Sequence, residues 1–142
     1  MKKSMIAELA VAVLAAALVS GCASTAKGPT DEELIAQTIG SWVEATKAKN
    51  IDGMMSNYSE SFQNDEWGDK AGLQSFLKDA LDMGYMEDME VLTDKMETKI
   101  ENGEATVYPI QLQAAFGAAT IEFVLKKEAD KWLIVGMTAE EN

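Results

Sequence analysis

The sequence contains no histidine and no arginine, one cysteine, two prolines, and twelve cationic residues against 24 acidic ones. Without histidine there is no Ser-His-Asp or Cys-His relay and no imidazole ligand for a metal ion. Without arginine there is no planar fork for two-point binding of a phosphate or carboxylate. The cations are all lysine, and the net charge is −12. Residues 1–21 carry Lys2, Lys3 and Glu8, a net of +1, so removing that +1 from −12 leaves −13 on the remainder. A nucleic-acid interface needs a basic face that displaces counterions, so nucleic acid is excluded as a partner. A lone cysteine leaves no intramolecular disulfide, and packing alone must hold the fold.

What is present begins with a processing signal. Lys2 and Lys3 form a short positive region, and Leu9 to Val19 is an apolar run of eleven residues. A bilayer-spanning helix needs about 20 apolar residues, so this run has instead the length of a secretory h-region. It ends in Val19-Ser20-Gly21-Cys22. This ending resembles the lipobox of bacterial lipoproteins: an aliphatic residue, two small ones, then cysteine. The resemblance implies cleavage before Cys22, a diacylglyceryl group on its thiol and a membrane anchor of two or more acyl chains. One chain binds a bilayer only marginally, whereas two anchor it stably. Ala23 and Ser24 follow, with no aspartate beside the cysteine; in Gram-negative lipoproteins this pattern implies delivery to the outer membrane, facing the periplasm. The sequence therefore divides into a signal peptide at 1–21, a lipidated cysteine and flexible tether at 22–29, and a folded domain at 30–142.

In the domain, Thr30-Asp31-Glu32-Glu33 reads as a capping box after Pro29. The helix behind it places Ile35, Ile39, Trp42 and Thr46 on one stripe and should end near Asn50, with Trp42 as a core anchor. A short second helix is expected from Asp52, carrying Met54, Met55 and Tyr58. A third begins at Asp69, buries Leu73, Phe76, Leu77, Ala80 and Leu81, and stops at Gly84. Beyond Gly84 the periodicity alternates. Asn102-Gly103 lies between two β-prone runs, a strong hairpin signal. Strands are predicted over 105–113, 120–127 and 131–138, giving three helices followed by a four-stranded antiparallel meander, an α+β order. Pro109 cannot donate to a ladder, which places it at an edge or a bulge.

The stretch "KNIDGMMSNYSESF", then "QNDEW" and "GDKAGLQSFL", followed by four strands, is similar to the nuclear transport factor 2-like superfamily with its SnoaL-like and ketosteroid-isomerase-like members. The resemblance covers about residues 31–139. It implies a cone-shaped (cystatin-like) fold in which a strongly curved antiparallel sheet wraps the first helix and leaves a pocket at the open end. It also implies a homodimer formed through the sheet. Isomerases of this fold place a general-base carboxylate eight residues after the aromatic of the second helix. Counted from Tyr58 that position is Glu66, with Asp65 beside it. Their oxyanion hole needs a tyrosine hydroxyl and a second acid; the matching first-helix position is Trp42, and Glu122 is the acid inside the predicted later strands.

Two readings follow. In one, the domain binds a small hydrophobic molecule, or an envelope partner, without turnover, and Trp42, Tyr58, Glu66, Trp67, Gln111 and Gln113 line its pocket. In the other, Glu66 or Asp65 moves a proton on a hydrophobic substrate. Asp65 and Glu66 also fit a solvated loop with Trp67 packed on the third helix, and the two glutamines fit the wet face of a half-buried sheet, with Val107 and Pro109 on that same face. Met54, Met55, Met83, Met86, Met89 and Met96 fit either an adaptable pocket or a core filled by flexible side chains. The acids from Asp82 to Glu90 lack the regular spacing of a calcium loop. Neither a metal nor a cofactor is expected.

Replacing the lipid-bearing thiol tests the anchor. Cys22→Ser should abolish acylation and release the protein from the membrane fraction. A variant that still sediments with membranes after a high-salt wash contradicts the anchor.

Overall fold

The computed structural model describes residues 28–115 and 117–142. The signal segment, Cys22 and the tether up to residue 27 lie outside the described residues. Thr30 caps the first helix, α1 (Asp31–Lys47), through a reciprocal pair: its hydroxyl accepts from the Glu33 amide at 3.2 Å and its own amide donates to the Glu33 carboxylate at 2.8 Å. Asn50 then caps a single-turn helix, α2 (Ile51–Met55), by accepting from the Gly53 amide at 3.0 Å. A two-stranded ribbon follows, β1 (Gln63–Asn64) with β2 (Gly68–Asp69), and leads into α3 (Lys70–Asp82).

The main sheet is antiparallel and holds β3 (Glu90–Leu92), β4 (Glu97–Glu101), β5 (Glu104–Ala114), β6 (Gly117–Glu128) and β7 (Lys131–Glu141). Its spatial order is β3/β4, β5, β6, β7. Both β3 and β4 pair with the same side of β5, at opposite ends, so they act as one interrupted edge strand. The expected four-strand meander is therefore present, with its first strand broken in two. The β4–β5 turn is the expected Asn-Gly pair: Asn102 and Gly103 both have positive φ, 54° and 79°. That is the conformation a tight two-residue hairpin requires.

Two irregularities bend the sheet around α1. The β5–β6 register shifts between Val107 and Ile110, where Pro109 sits, and the β6–β7 register shifts between Val124 and Leu125. Bulges of this kind increase local curvature. The first one also changes the phase of β5. Val107 and Ile110 are both fully buried on the concave side, and Tyr108 projects outward. The expectation that Val107 shares a face with Gln111 and Gln113 is thus corrected: the extra residue at Pro109 resets the alternation.

The concave face of β6 contributes Ile121, Phe123 and Leu125, against which α1 lays Ile35, Ile39 and Trp42. Trp42 is 2% exposed and meets Phe123 edge to face at 4.9 Å. Thr38 ties the helix to β7 by donating to the Trp132 carbonyl at 2.6 Å. At the start of α1, the Asp31 carboxylate accepts from Lys127 at 2.9 Å and from the Trp132 indole at 3.0 Å, and these bonds hold its pKa below the ordinary carboxylate value. The chain after α2 joins the open edge of β7: Ser59 donates to the Ile134 carbonyl at 2.8 Å and Ile134 to the Asn57 carbonyl at 2.9 Å. In α3, Leu73 and Ala80 are buried, but Phe76 is 43% exposed, contrary to its expected burial. The helix covers the mouth of the cone and not its floor, so only part of its apolar stripe reaches the core. Among the described residues no helix is long and apolar enough to cross a membrane.

Truncating a large buried aromatic costs about 3–5 kcal/mol. Trp42→Ala should lose stability in that range in a denaturant melt, whereas exposed Glu66→Gln should leave it nearly unchanged. A Trp42→Ala protein as stable as wild type would remove the helix from the core.

Candidate functional site

The sheet curls further than α1 can fill, and a cavity of about 400 Å³ remains between the C-terminal half of α1, α3, the segment leading to β3, and the concave ends of β5, β6 and β7. Trp42, Thr46, Met54 and Tyr58 form its floor; Leu73, Leu77, Ala80, Met86 and Met89 come from the α3 side; Leu112, Ala119, Ile121, Met137 and Ala139 come from the sheet. Its size falls in the range of small-molecule sites, roughly 300–1,000 Å³, which are mostly apolar with a few placed polar groups.

Two polar side chains reach the floor: Thr46, whose hydroxyl donates to the Trp42 carbonyl at 2.7 Å, and Tyr58, 2% exposed. Its hydroxyl accepts a hydrogen bond from the Trp42 indole at 3.1 Å and directs its proton toward the Met137 sulfur at 3.8 Å. A thioether is a weak acceptor. Burial pushes the phenol well above its ordinary pKa, and the Trp42 bond offsets this only in part. The residue is therefore a neutral hydrogen-bond donor and not a base.

At the mouth the geometry comes from Asn64. Its amide donates to the Met137 carbonyl, and its side-chain oxygen accepts from the backbone of Glu66 at 2.6 Å and of Trp67 at 2.9 Å. This pins the 65–67 turn to β7. Trp67 stacks on Phe76 at 5.0 Å with an interplanar angle of 28°. Gly72 permits that approach, because a Cβ there would lie 2.0 Å from the Trp67 carbonyl oxygen. Tyr85, 48% exposed, completes the aromatic part of the rim.

Of the residues expected to line a pocket, Trp42, Tyr58, Glu66 and Trp67 do so. Gln111 and Gln113 do not. Gln111 pairs across the ladder with Thr120 and Gln113 with Ala118, whereas the cavity-lining neighbours are Leu112 and Ala119. The bulge phase places the glutamines on the convex face. Asp65 is exposed and lines an open groove with Gln63, Val124 and Thr138 that adjoins the cavity at Glu66, Met137 and Ala139. Glu122 faces the convex side beside Tyr108 and Thr138. Glu66 is exposed at the rim, where it remains in contact with water. No second acid meets it on the cavity floor, and the isomerase arrangement of hydroxyl plus buried acid is not assembled among the described residues.

Sequence reasoning missed Phe76 as a rim residue and missed Glu141. The strand expected to stop at Thr138 continues to Glu141, so Met137, Ala139 and Glu141 successively face the cavity. The alternation through residue 141 was the available signal, hidden by the low β-propensity of Ala-Glu-Glu. Among the described residues no group of three or more Cys, Asp or Glu side chains is placed to hold a metal ion.

This architecture is shared with solved structures. A protein of unknown function with a cystatin-like fold from Nostoc punctiforme matches with a TM-score of 0.64 at 16% identity, over 79% of this chain and 91% of that one. An uncharacterized protein with a cystatin-like fold from Caulobacter vibrioides matches at 0.66 and 9% identity, over 78% and 89%. A nuclear transport factor 2-like protein of unknown function from Shewanella oneidensis matches at 0.61 and 15% identity, over 78% and 98%. No protein-family model matches the sequence, and no curated protein matches it. The chain has the α+β cystatin-like, nuclear transport factor 2-like fold.

Tyr58→Phe should strand the buried Trp42 N–H without an acceptor, costing about 1–3 kcal/mol. The raised phenol pKa adds a pH signature. Above about pH 10 the unfolded chain loses a proton that the folded chain keeps, so wild-type stability falls as pH rises. Denaturant melts between about pH 9 and 11 should show a shallower fall for Tyr58→Phe; identical slopes would contradict the buried neutral phenol.

Proposed function

We propose that the protein is a lipid-anchored envelope protein whose domain binds a small hydrophobic molecule without chemically changing it. The observation that carries this reading is the preformed cavity: about 400 Å³, walled by aliphatic, methionine and aromatic side chains, with the Tyr58 and Thr46 hydroxyls at its floor, the latter committed to the Trp42 carbonyl. Methionines Met54, Met86, Met89 and Met137 give it adaptable walls; flexible thioether side chains suit occupants of varied shape. Enzymatic proton transfer is the weaker reading, because the carboxylate it would use stands at the wet rim and the only buried titratable group in the cavity is a phenol held neutral.

The lipid comes from the sequence argument at Cys22, and the fold gives that argument a consequence. The chain enters the domain beside Lys127 and Trp132, at one end of β6 and β7, while the cavity opens at the other end, near Ala119 and Glu141. Residues 22–29 reach at most about 28 Å when extended. An anchor at Cys22 therefore keeps the domain within about 28 Å of the bilayer and attaches it at the pole opposite the cavity mouth.

Binding can be read with a neutral environment-sensitive naphthylamine, using the full chain carrying Cys22→Ser. The wild-type cavity should bind the dye, and Ala119→Phe, which points a ring into the cavity, should weaken it by about tenfold or more. Dye binding untouched by Ala119→Phe, or no binding by either protein, overturns the pocket reading.

A further inference from the structure

We propose that the occupant of the cavity is a lipophilic cation: an apolar body carrying an amine or quaternary ammonium head. The inference rests on the pocket reading above and adds the charge of the ligand. Among the described residues, the charged ones lining the cavity are Glu66 and Glu141, both exposed acids, and no lysine lines it. Neither glutamate takes part in an ion pair among the described residues, whereas Asp31, Glu60 and Glu87 each have a lysine. The cavity thus presents uncompensated negative charge at the opening of an apolar chamber. A low-dielectric wall concentrates the field of such charges at the opening, and the net −14 of residues 30–142 (nine lysines against 23 acids) adds to it.

The backbone at both positions is held in place. Glu66 follows from the Asn64 turn already described. Glu141 takes the last inward-facing position of β7, after Met137 and Ala139, where burial alone would favour a third apolar side chain. The strand end is fixed there by the Asn142 amide, which donates to the Ala118 carbonyl at 3.0 Å, and by the Asn142 side chain, which donates to Thr120 Oγ1 at 2.7 Å. The cavity is also lined by aromatic residues, the stacked Trp67–Phe76 pair and Tyr85. Aromatic faces attract alkylammonium groups, and most strongly where the cation is partly desolvated. Anionic amphiphiles meet repulsion at this rim, and neutral ones gain nothing from it. The head group sits between the rings and the carboxylates, and the chain fills the methionine-lined interior.

The test uses three probes with one decyl chain, each below its micellar concentration: decyltrimethylammonium, decanol and decyl sulfate. Each competes against the neutral dye on the full chain carrying Cys22→Ser. At low salt the cation should bind about tenfold tighter than the alcohol, and the sulfate most weakly. Combining Glu66→Gln with Glu141→Gln should bring the cation to within about threefold of the alcohol while leaving the alcohol unchanged. An alcohol as tight as the cation, or a preference that survives both substitutions, overturns the charge assignment and leaves the pocket standing. If none of the three displaces the dye, the pocket reading falls with it.

Discussion

The structure depends on one buried contact, the indole of Trp42 with its N–H on the Tyr58 hydroxyl. An unpaired donor in that position would cost much of what burying the ring contributes. With the bond made, the helix α1, the end of α2 and the sheet meet at one place. Trp42 stands edge-on to Phe123, and Tyr58 stands edge-on to Phe62 at 5.2 Å and to Phe123 at 6.2 Å. The same pair is the cavity floor. What locks the helix into the cone therefore also closes the chamber at one end and presents the neutral Tyr58 hydroxyl there.

Everything above that floor is arranged around incomplete filling. The bulges at Pro109 and near Val124 curl the sheet, and α3 crosses the opening with only Leu73 and Ala80 buried. The remaining space is apolar and the rim is wet. Glu66, the carboxylate expected to act on a substrate, stands exposed at that rim. Among the described residues the hydroxyl and buried acid of the isomerase pattern are not brought together around the cavity, and a fold alone decides no activity.

The first half of the domain was legible because its signals are local. The Thr30–Glu33 box, the stripe through Trp42 and the Asn102-Gly103 turn each act within a few residues, and each appears in the structure where the sequence places it. The sheet's faces were less legible. One extra residue at Pro109 reverses which side chains of β5 point inward, and so moved Gln111 and Gln113 to the convex face. Phe76 follows a helical apolar period yet is exposed, because what α3 covers depends on elements far away in sequence. Glu141 was hidden for a similar reason: pairing with Ala119 extends β7 beyond what its own residues favour.

The central claim is that the methionine-walled cavity is where a ligand sits. Methionine-methyl NMR on the full chain during titration with decanol addresses it directly. The account requires the Met54, Met86, Met89 and Met137 methyls to shift together and saturably, with Met55 and Met96, which do not line the cavity, nearly still. Shifts spread evenly over all the methionines, or no shift at the four cavity positions, would contradict it.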